Sequence, residues 1–432
     1  MKRSLGTRDA RMSLEQTINH RLSQYPRVKR LLKRGYQTAF AIGAPGKQMV
    51  GNVEVISPND DREYFFGYYD KSPWDASGTK VLCMSAKDTV SAVAPKDVLD
   101  LLVLDMHDNR QVLKVAESRS WNVQQGCMAQ WLGPDYGSKI IFNDFRSGLF
   151  CSVIVDIHTR QERIIPSPVY SVSSDGSFAL TLDFARLHRL RPGYGYSNVP
   201  DATDGQLVPD GAAVSKIDLR TGEVSRVLEF SELLSLDHRD DMEGAEHKVN
   251  HLMLNPSDER FMVLHRWYVK GRKYTRLVTC GVDGKDIWNL SDEGMVSHCF
   301  WKNDSTVLAF ARRQAFNGYF LLEDGTTKAS RLWPDIENDG HPSYSPSGEY
   351  VLFDSYPDRR RLSSIKIFNE AGSIRETIAR VYAPFRYDND VRCDLHPRWR
   401  RDGGAICFDG AFEGRRRLYQ VDLGKFGTLK GA

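Results

Sequence analysis

One short pattern occurs seven times in this chain and limits its fold more than any other feature. The clearest copy, DGHPSYSPSGEYVLFDSYPD, spans residues 339–358. A polar lead with His341 is followed by Pro342. Tyr344-Ser345-Pro346-Ser347-Gly348-Glu349 then supplies turn residues, and Val351-Leu352-Phe353 follows as an apolar run. Pro and Gly preset the turn, and β-branched and aromatic residues suit the strand after it. The pattern predicts a hairpin with a histidine at its entrance.

The seven copies turn at residues 78, 137, 176, 258, 304, 348 and 403, so the gaps are 59, 39, 82, 46, 44 and 55. A four-stranded propeller blade takes about 40 to 50 residues. A second strand pair follows each copy, as in Val153-Ile154-Val155-Asp156 before Thr159. We therefore expect an all-β fold, a seven-bladed β-propeller over residues 51–432. Residues 1–50 form a separate basic extension, and helix is expected mainly at residues 13–40. Asn52-Val53-Glu54-Val55-Ile56 is the candidate for the strand that closes blade seven.

The extension carries ten Lys or Arg residues against Asp9 and Glu15 between residues 1 and 34. Leu14, Ile18 and Leu22 recur at helical spacing behind a Ser13/Gln16 capping box, and Pro26 can open a second helix. Two uses fit: a solvated helical pair packed on the propeller, or peripheral contact with an anionic membrane surface. No run of about 18 apolar residues exists, so no spanning helix is expected. The seven cysteines lack CxxC spacing, and several sit inside apolar strand runs. Buried free thiols and a reducing, cytoplasmic setting follow, peripheral to the inner membrane face if the extension binds lipid. A net charge of +3 gives no ground for nucleic-acid binding.

The entrances to the hairpins vary chemically while turn and strand stay fixed, as on a scaffold with a site at one end. Blade one enters through Tyr64-Phe65-Phe66-Gly67-Tyr68-Tyr69, and blade two through Trp121-Asn122-Val123-Gln124-Gln125-Gly126. Tyr68, Tyr69 and Gln125 are candidates for sugar contact. The largest insertion, residues 183–210, carries Arg186, Arg189 and Arg191 ahead of Pro192-Gly193-Tyr194-Gly195-Tyr196. It is either a plain surface loop or a loop over the mouth that clamps an anion, since Arg matches a carboxylate with two parallel hydrogen bonds. From blade four onward His251, His265, His298, His341 and His396 flank the inner strands. Inner strands line the central channel, so these residues converge on either structural hydrogen bonds or a metal or catalytic site.

The pattern His298, Gly340-His341-Pro342-Ser343-Tyr344-Ser345-Pro346, Asp354 and Asp394-Leu395-His396-Pro397-Arg398-Trp399 resembles the oligogalacturonate lyases and related propeller polysaccharide lyases. The likeness is clearest over residues 250–409. It implies a seven-bladed propeller that cleaves an acidic, uronic-acid-containing oligo- or polysaccharide by β-elimination, some members with a divalent metal such as Mn2+ and no organic cofactor. It assigns His341 and His396 to the metal and His298 to the base. One departure stands out: the family's last blade offers a Gln and two histidines, whereas here Asp394 accompanies a single His396. An aspartate can ligate manganese.

Such chemistry needs a charge to neutralise the uronate, a base, and a donor to the leaving oxygen. Arg266, Arg398 and the Arg186, Arg189 and Arg191 group are candidates for the first. His298 and His265 are candidates for the second, and Tyr68, Tyr69 or Tyr344 for the third. His251 is a further substrate contact. The alternative is a non-catalytic carbohydrate-binding or scaffold propeller in cell-surface polysaccharide assembly, which needs only aromatic and arginine contacts.

Overall fold

The computed structural model describes residues 52–426, apart from Asn109, together with Gly35. The basic extension expected over residues 1–50 lies outside the described residues, save for that glycine. The remainder forms seven four-stranded antiparallel sheets. Blades 1 to 6 occupy residues 63–118, 130–165, 171–229, 246–291, 296–332 and 343–382, each a meander whose strands pair in chain order. Blade 7 takes three strands from residues 398–422 and its outer strand from Val53–Val55. Val53 lies opposite Val421 and Val55 opposite Tyr419. The expected closing strand therefore fastens the ring by ladder hydrogen bonds between the two ends of the described chain.

Tryptophans tie blade to blade. Trp131, Trp301 and Trp399 stand at the same place in blades 2, 5 and 7, just before the turn. Each donates its indole N–H to a carbonyl of the preceding blade: Pro73 at 2.7 Å, Met253 at 3.0 Å and Ser343 at 3.3 Å. A large ring fills the inter-blade space while its single polar atom is satisfied across the seam. Apolar clusters continue outward between the sheets, as where Met253, Leu264 and Leu277 of blade 4 meet Cys299, Val307 and Phe320 of blade 5.

Among the described residues of the propeller, two α-helices interrupt the β architecture, Phe184–Leu190 and Phe230–Ser235. The first corrects the expectation of a loop over residues 183–210. Asp183 accepts hydrogen bonds from the backbone N–H groups of Ala185 and Arg186, and Phe184 and Leu187 are buried. That is an N-cap followed by an apolar pair at helical spacing. All seven cysteines are free, six of them buried and Cys393 half-buried. Among the described residues no helix is long and apolar enough to cross a membrane.

One face of blade 4 packs on the segment from Leu233 to Met242 through a chain of neutral imidazoles. Arg276 Nε donates to His265 Nδ1 (3.1 Å), His265 Nε2 lies 2.9 Å from His247 Nδ1, and His247 Nε2 faces the Met242 carbonyl. Arg276 also donates to the carbonyls of Leu233 and Leu236. Burial, with Arg276 adding to it, holds His247 down to about 4 and His265 well below the usual imidazole range.

Two outcomes follow from this architecture. Ile56→Pro removes the N–H that donates to the Leu418 carbonyl at 2.9 Å beside this strand and should lower the melting temperature by several degrees, measured by circular dichroism; an unchanged melt would mean that ring closure does not depend on this seam. An unfolded imidazole takes a proton near pH 6.5, whereas folded His247 stays neutral to about 4. Its stabilisation is therefore full above about pH 6.5 and is lost as pH falls toward 4, on the order of 2 kcal/mol between pH 6.5 and 5. Urea unfolding at both pH values checks this, and His247→Gln should flatten the difference.

Candidate metal centre

The entrances of blades 5, 6 and 7 meet at one end of the channel. His298 lies in the first strand of blade 5, and His341 and His396 immediately precede the first strands of blades 6 and 7. Ring centroids are 4.1 Å apart for His298 and His341 and 4.3 Å for His341 and His396. All three are buried. Tyr68 and Tyr69 of blade 1 reach across the channel to within 5.1 Å of His396 and 5.3 Å of His341, centroid to centroid.

Two nitrogens in this cluster want a partner. His341 Nε2 and His396 Nε2 are buried with no hydrogen-bond acceptor or donor, and a carboxylate oxygen of Asp394 completes a group whose ligand atoms lie within 4.8 Å of one another. His341 Nδ1 contacts Asp354 at 2.8 and 3.0 Å, which places its proton on Nδ1 and leaves the Nε2 lone pair free. A carboxylate behind a ligating histidine is the usual support for a metal site. Burial opposes the charged ring, but Asp354 overcomes it and raises His341 above the ordinary imidazole value. His396 is pushed well below that value by burial and by the neighbouring His341. Arg392 Nε donates to Asp394 Oδ2 at 2.6 Å, leaving the other oxygen for a cation. Two imidazoles and a carboxylate fit a divalent ion, with room in its coordination sphere for substrate.

The backbone here is shaped for the purpose. His396 has φ +41° and His251 φ +61°, a region that costs a non-glycine residue on the order of 1–3 kcal/mol. His396 N–H donates to Asp354 Oδ2 and His251 N–H to Tyr170 Oη, both at 3.1 Å, which holds the strained turns. A Cβ on Gly340 would collide with the Asp354 carbonyl oxygen, so only glycine lets the two strands close on the His341–Asp354 pair.

His298 differs from its neighbours. Its Nδ1 lies 3.0 Å from Asp339, which accepts that proton and orients the ring, while Ser297 Oγ donates to the same carboxylate. Burial lowers His298 below the ordinary value despite Asp339, so it is a neutral base with Nε2 unprotonated. The Tyr356 ring lies 6.2 Å from His298 and 5.7 Å from His341, with Arg392 above it. Burial keeps its phenol protonated. A cavity of about 240 Å³ lined by Tyr356, Tyr387, Arg392 and Asp394 opens beside the ligand set.

The other sequence candidates fall into two groups. His251 sits beneath the tyrosines: its Nε2 lies 3.1 Å from the Cys299 carbonyl, which can only accept, so Nδ1 accepts from Tyr68 Oη at 3.1 Å. Tyr69 Oη donates to the same carbonyl, and Gln125 is held one layer away by Tyr170. Arg191 lies over the Tyr194 ring at 4.4 Å, and Arg266 is buried at the mouth with Nε unpartnered. The structure does not bring His265, Tyr344, Arg398, Arg186 or Arg189 into the cluster. His265 lies on the far face of blade 4, because successive residues of a strand point opposite ways and Arg266 has the inner one. Tyr344 donates to Glu370 of its own blade and joins the apolar seam with Leu308 and Phe310 of blade 5. Arg398 pairs with Asp409 at 2.9 Å and donates to the Gly67 and Tyr68 carbonyls, closing blade 7 on blade 1. Arg186 is spent on carbonyls of Thr203, Gln206 and His247, and Arg189 on Asp201 and Glu246. Asp339, Asp354 as a support, and Tyr356 escaped the sequence reading. Asp354 was within reach of it, since Ser343 opposite Leu352 places His341 across from Asp354 in the same hairpin.

No protein-family model and no curated protein matches this chain. Solved structures do. An oligogalacturonate lyase from Vibrio parahaemolyticus has a TM-score of 0.59 at 12% identity, covering 88% of this chain and 99% of that one. An oligogalacturonate lyase in complex with manganese has a TM-score of 0.60 at 16% identity, covering 88% and 98%. A puromycin-hydrolyzing peptidase from Mycobacterium tuberculosis reaches 0.51 at 10% identity, covering 81% of this chain and 51% of that one. At such identities the likeness shows the propeller fold.

Asp354→Asn keeps the shape but removes the charge behind His341. It should weaken Mn2+ binding roughly 10- to 100-fold in titration calorimetry. Binding as tight as in the parent would mean that His341 is not a ligand.

Proposed function

We propose that this propeller is a metal-dependent, carbohydrate-active protein that cleaves an acidic, uronate-containing oligo- or polysaccharide by β-elimination. The observation that supports this reading is the pairing of a His341, His396 and Asp394 ligand set with a separate, carboxylate-oriented histidine, the His298–Asp339 pair. A Mn2+ ion in that set supplies Lewis-acid neutralisation of the substrate carboxylate, which makes the adjacent C–H bond acidic.

The chain's own residues account for the remaining needs. His298 Nε2 takes the proton from the carbon next to the carboxylate, and Asp339 stabilises the imidazolium that results. The freed electron pair becomes the carbon–carbon double bond as the neighbouring carbon–oxygen bond breaks. Tyr356, kept protonated by burial, stands beside His298 to give a proton to the departing oxygen. Tyr68 offers a ring face to the sugar, and its hydroxyl is anchored on His251. The manganese-bound lyase of the same fold lends the metal its identity.

A binding or scaffold role in polysaccharide assembly is the second reading. The burial of His298, 6% exposed, and of His341, 1% exposed, favours it, because catalysis requires the mouth to open to a polymer. The two separate on paired variants. Incubated with a panel of polyuronates and Mn2+, the parent should generate the ultraviolet absorbance of unsaturated uronate. His298→Ala should lose roughly 100- to 10,000-fold in rate while keeping its metal by elemental analysis. His341→Ala should lose both. Intact turnover in His298→Ala, or none in the parent on any polyuronate, would leave only the binding role.

A further inference from the structure

Blade 4 carries chemistry that the histidine cluster does not use. Its first two strands place Lys248 directly opposite Arg266. Like charges opposed across an antiparallel ladder are destabilising unless something lies between them. Lys248 is 1% exposed and Arg266 6%. Lys248 Nζ, Arg266 Nε and, two residues along from Lys248, Asn250 Oδ1 are all buried with no hydrogen-bond partner. The third strand adds Lys273 to this face, because Lys273 lies opposite Tyr268 and Tyr268 shares the face of Arg266. The opposite face is the fully bonded His247, His265 and Arg276 chain.

This cationic face looks into the mouth. Burial and Arg266, Arg191 and Lys273 hold Lys248 far below the ordinary lysine range, and Lys273, exposed at the rim, is lowered chiefly by Arg266. Arg266 also acts on Tyr268 and on His251 at the floor of the histidine site. Lys248 Nζ lies 5.8 Å from the centroid of the Tyr268 ring, and little else opposes these charges. Asp339 acts on Lys273 but is already held by Ser297 and His298, and Glu246 is bonded to Arg189 at 2.7 Å.

A buried, unpartnered cation is costly, and two side by side are more so. A single carboxylate brings one charge to four cations. A phosphoryl group brings about −1.5 to −2 charges at pH 7 and three acceptor oxygens, enough for Lys248, Arg266 and Lys273 together. We infer that the mouth-facing side of blade 4 binds a phosphoryl group borne by the ligand, a phosphate monoester or pyrophosphate of a sugar, seated by Lys248, Arg266 and Lys273 beneath Arg191. This inference stands apart from the lyase reading, since it requires neither the metal nor turnover. Lysine serves here as a point charge toward phosphate and arginine as the planar fork.

Titration calorimetry on protein stripped of metal by chelation tests it, with inorganic phosphate, pyrophosphate and galacturonate as probes. Phosphate and pyrophosphate should bind at pH 7, pyrophosphate more tightly, and galacturonate at least tenfold more weakly than either. Lys248→Met and Arg266→Met should each weaken pyrophosphate binding tenfold or more. In phosphate-free buffer Lys248→Met should also melt at a higher temperature than the parent, because it removes a buried amine that has no hydrogen-bond partner. A purely structural lysine would lower the melt instead. Three results would overturn the inference: no heat from phosphate or pyrophosphate, unchanged pyrophosphate binding in both variants, or galacturonate bound as tightly as phosphate.

Discussion

A single buried carboxylate, Asp354, fixes the geometry on which the site depends. From the end of blade 6's second strand it accepts the backbone N–H of His341, the Nδ1–H of the same residue, and the backbone N–H of His396 in blade 7. Charge-assisted bonds of this kind are about twice as strong as neutral ones, and burial strengthens them further. One side chain thereby joins two blades and aims two imidazoles at one point. Asp409 repeats the device one blade on. It pairs with Arg398 and accepts the N–H groups of Phe66 and Gly67 in blade 1. The ring is closed outside by the strand Val53–Val55 and inside by this carboxylate, so the channel mouth is braced where its chemistry lies.

Much of this was legible in the chain. The turn residues and the apolar runs after them mark all seven blades, because Gly, Pro and β-branched residues act through local backbone preference. The histidine cluster was legible for a related reason: His298, His341 and His396 occupy the same place relative to their turns, so a radial repeat must bring them together. His265 shows where that logic stops. It belongs to the second strand, one residue before Arg266, and parity alone does not reveal which of two neighbours looks inward. Tyr344 and Arg398 are further cases, since an inward position in sequence can serve the seam between blades rather than the channel. Arg186 and Arg189 looked like an anion clamp by composition, yet the helix Phe184–Leu190 turns both toward carbonyls and acids of their own insertion and of the first strand of blade 4. Asp339 and Tyr356 depend on distances between separate blades, which no local pattern encodes.

The site also carries several unfavourable terms. Left-handed backbone at His251 and His396, orphaned nitrogens on His341 and His396, and opposed cations at Lys248 and Arg266 all lie at one end of one channel. A propeller tolerates this because each blade satisfies its own ladder and meets its neighbours through apolar seams remote from the mouth. At the mouth a ligand would relieve part of this cost.

His341 and His396 are shifted in opposite senses, and the cause is again Asp354. Its charge favours a proton on His341, while that same proton and the surrounding burial disfavour one on His396. A divalent cation at His341 Nε2 would compete with a proton there. The carboxylate that makes His341 a stronger donor therefore also makes the proton a stronger competitor. Asp394 shifts the balance toward the metal by bringing a negative charge that the cation can meet directly. Arginines crowd the mouth at Arg191, Arg266 and Arg392, and the Asp394 carboxylate is the charge that would hold a divalent cation among them.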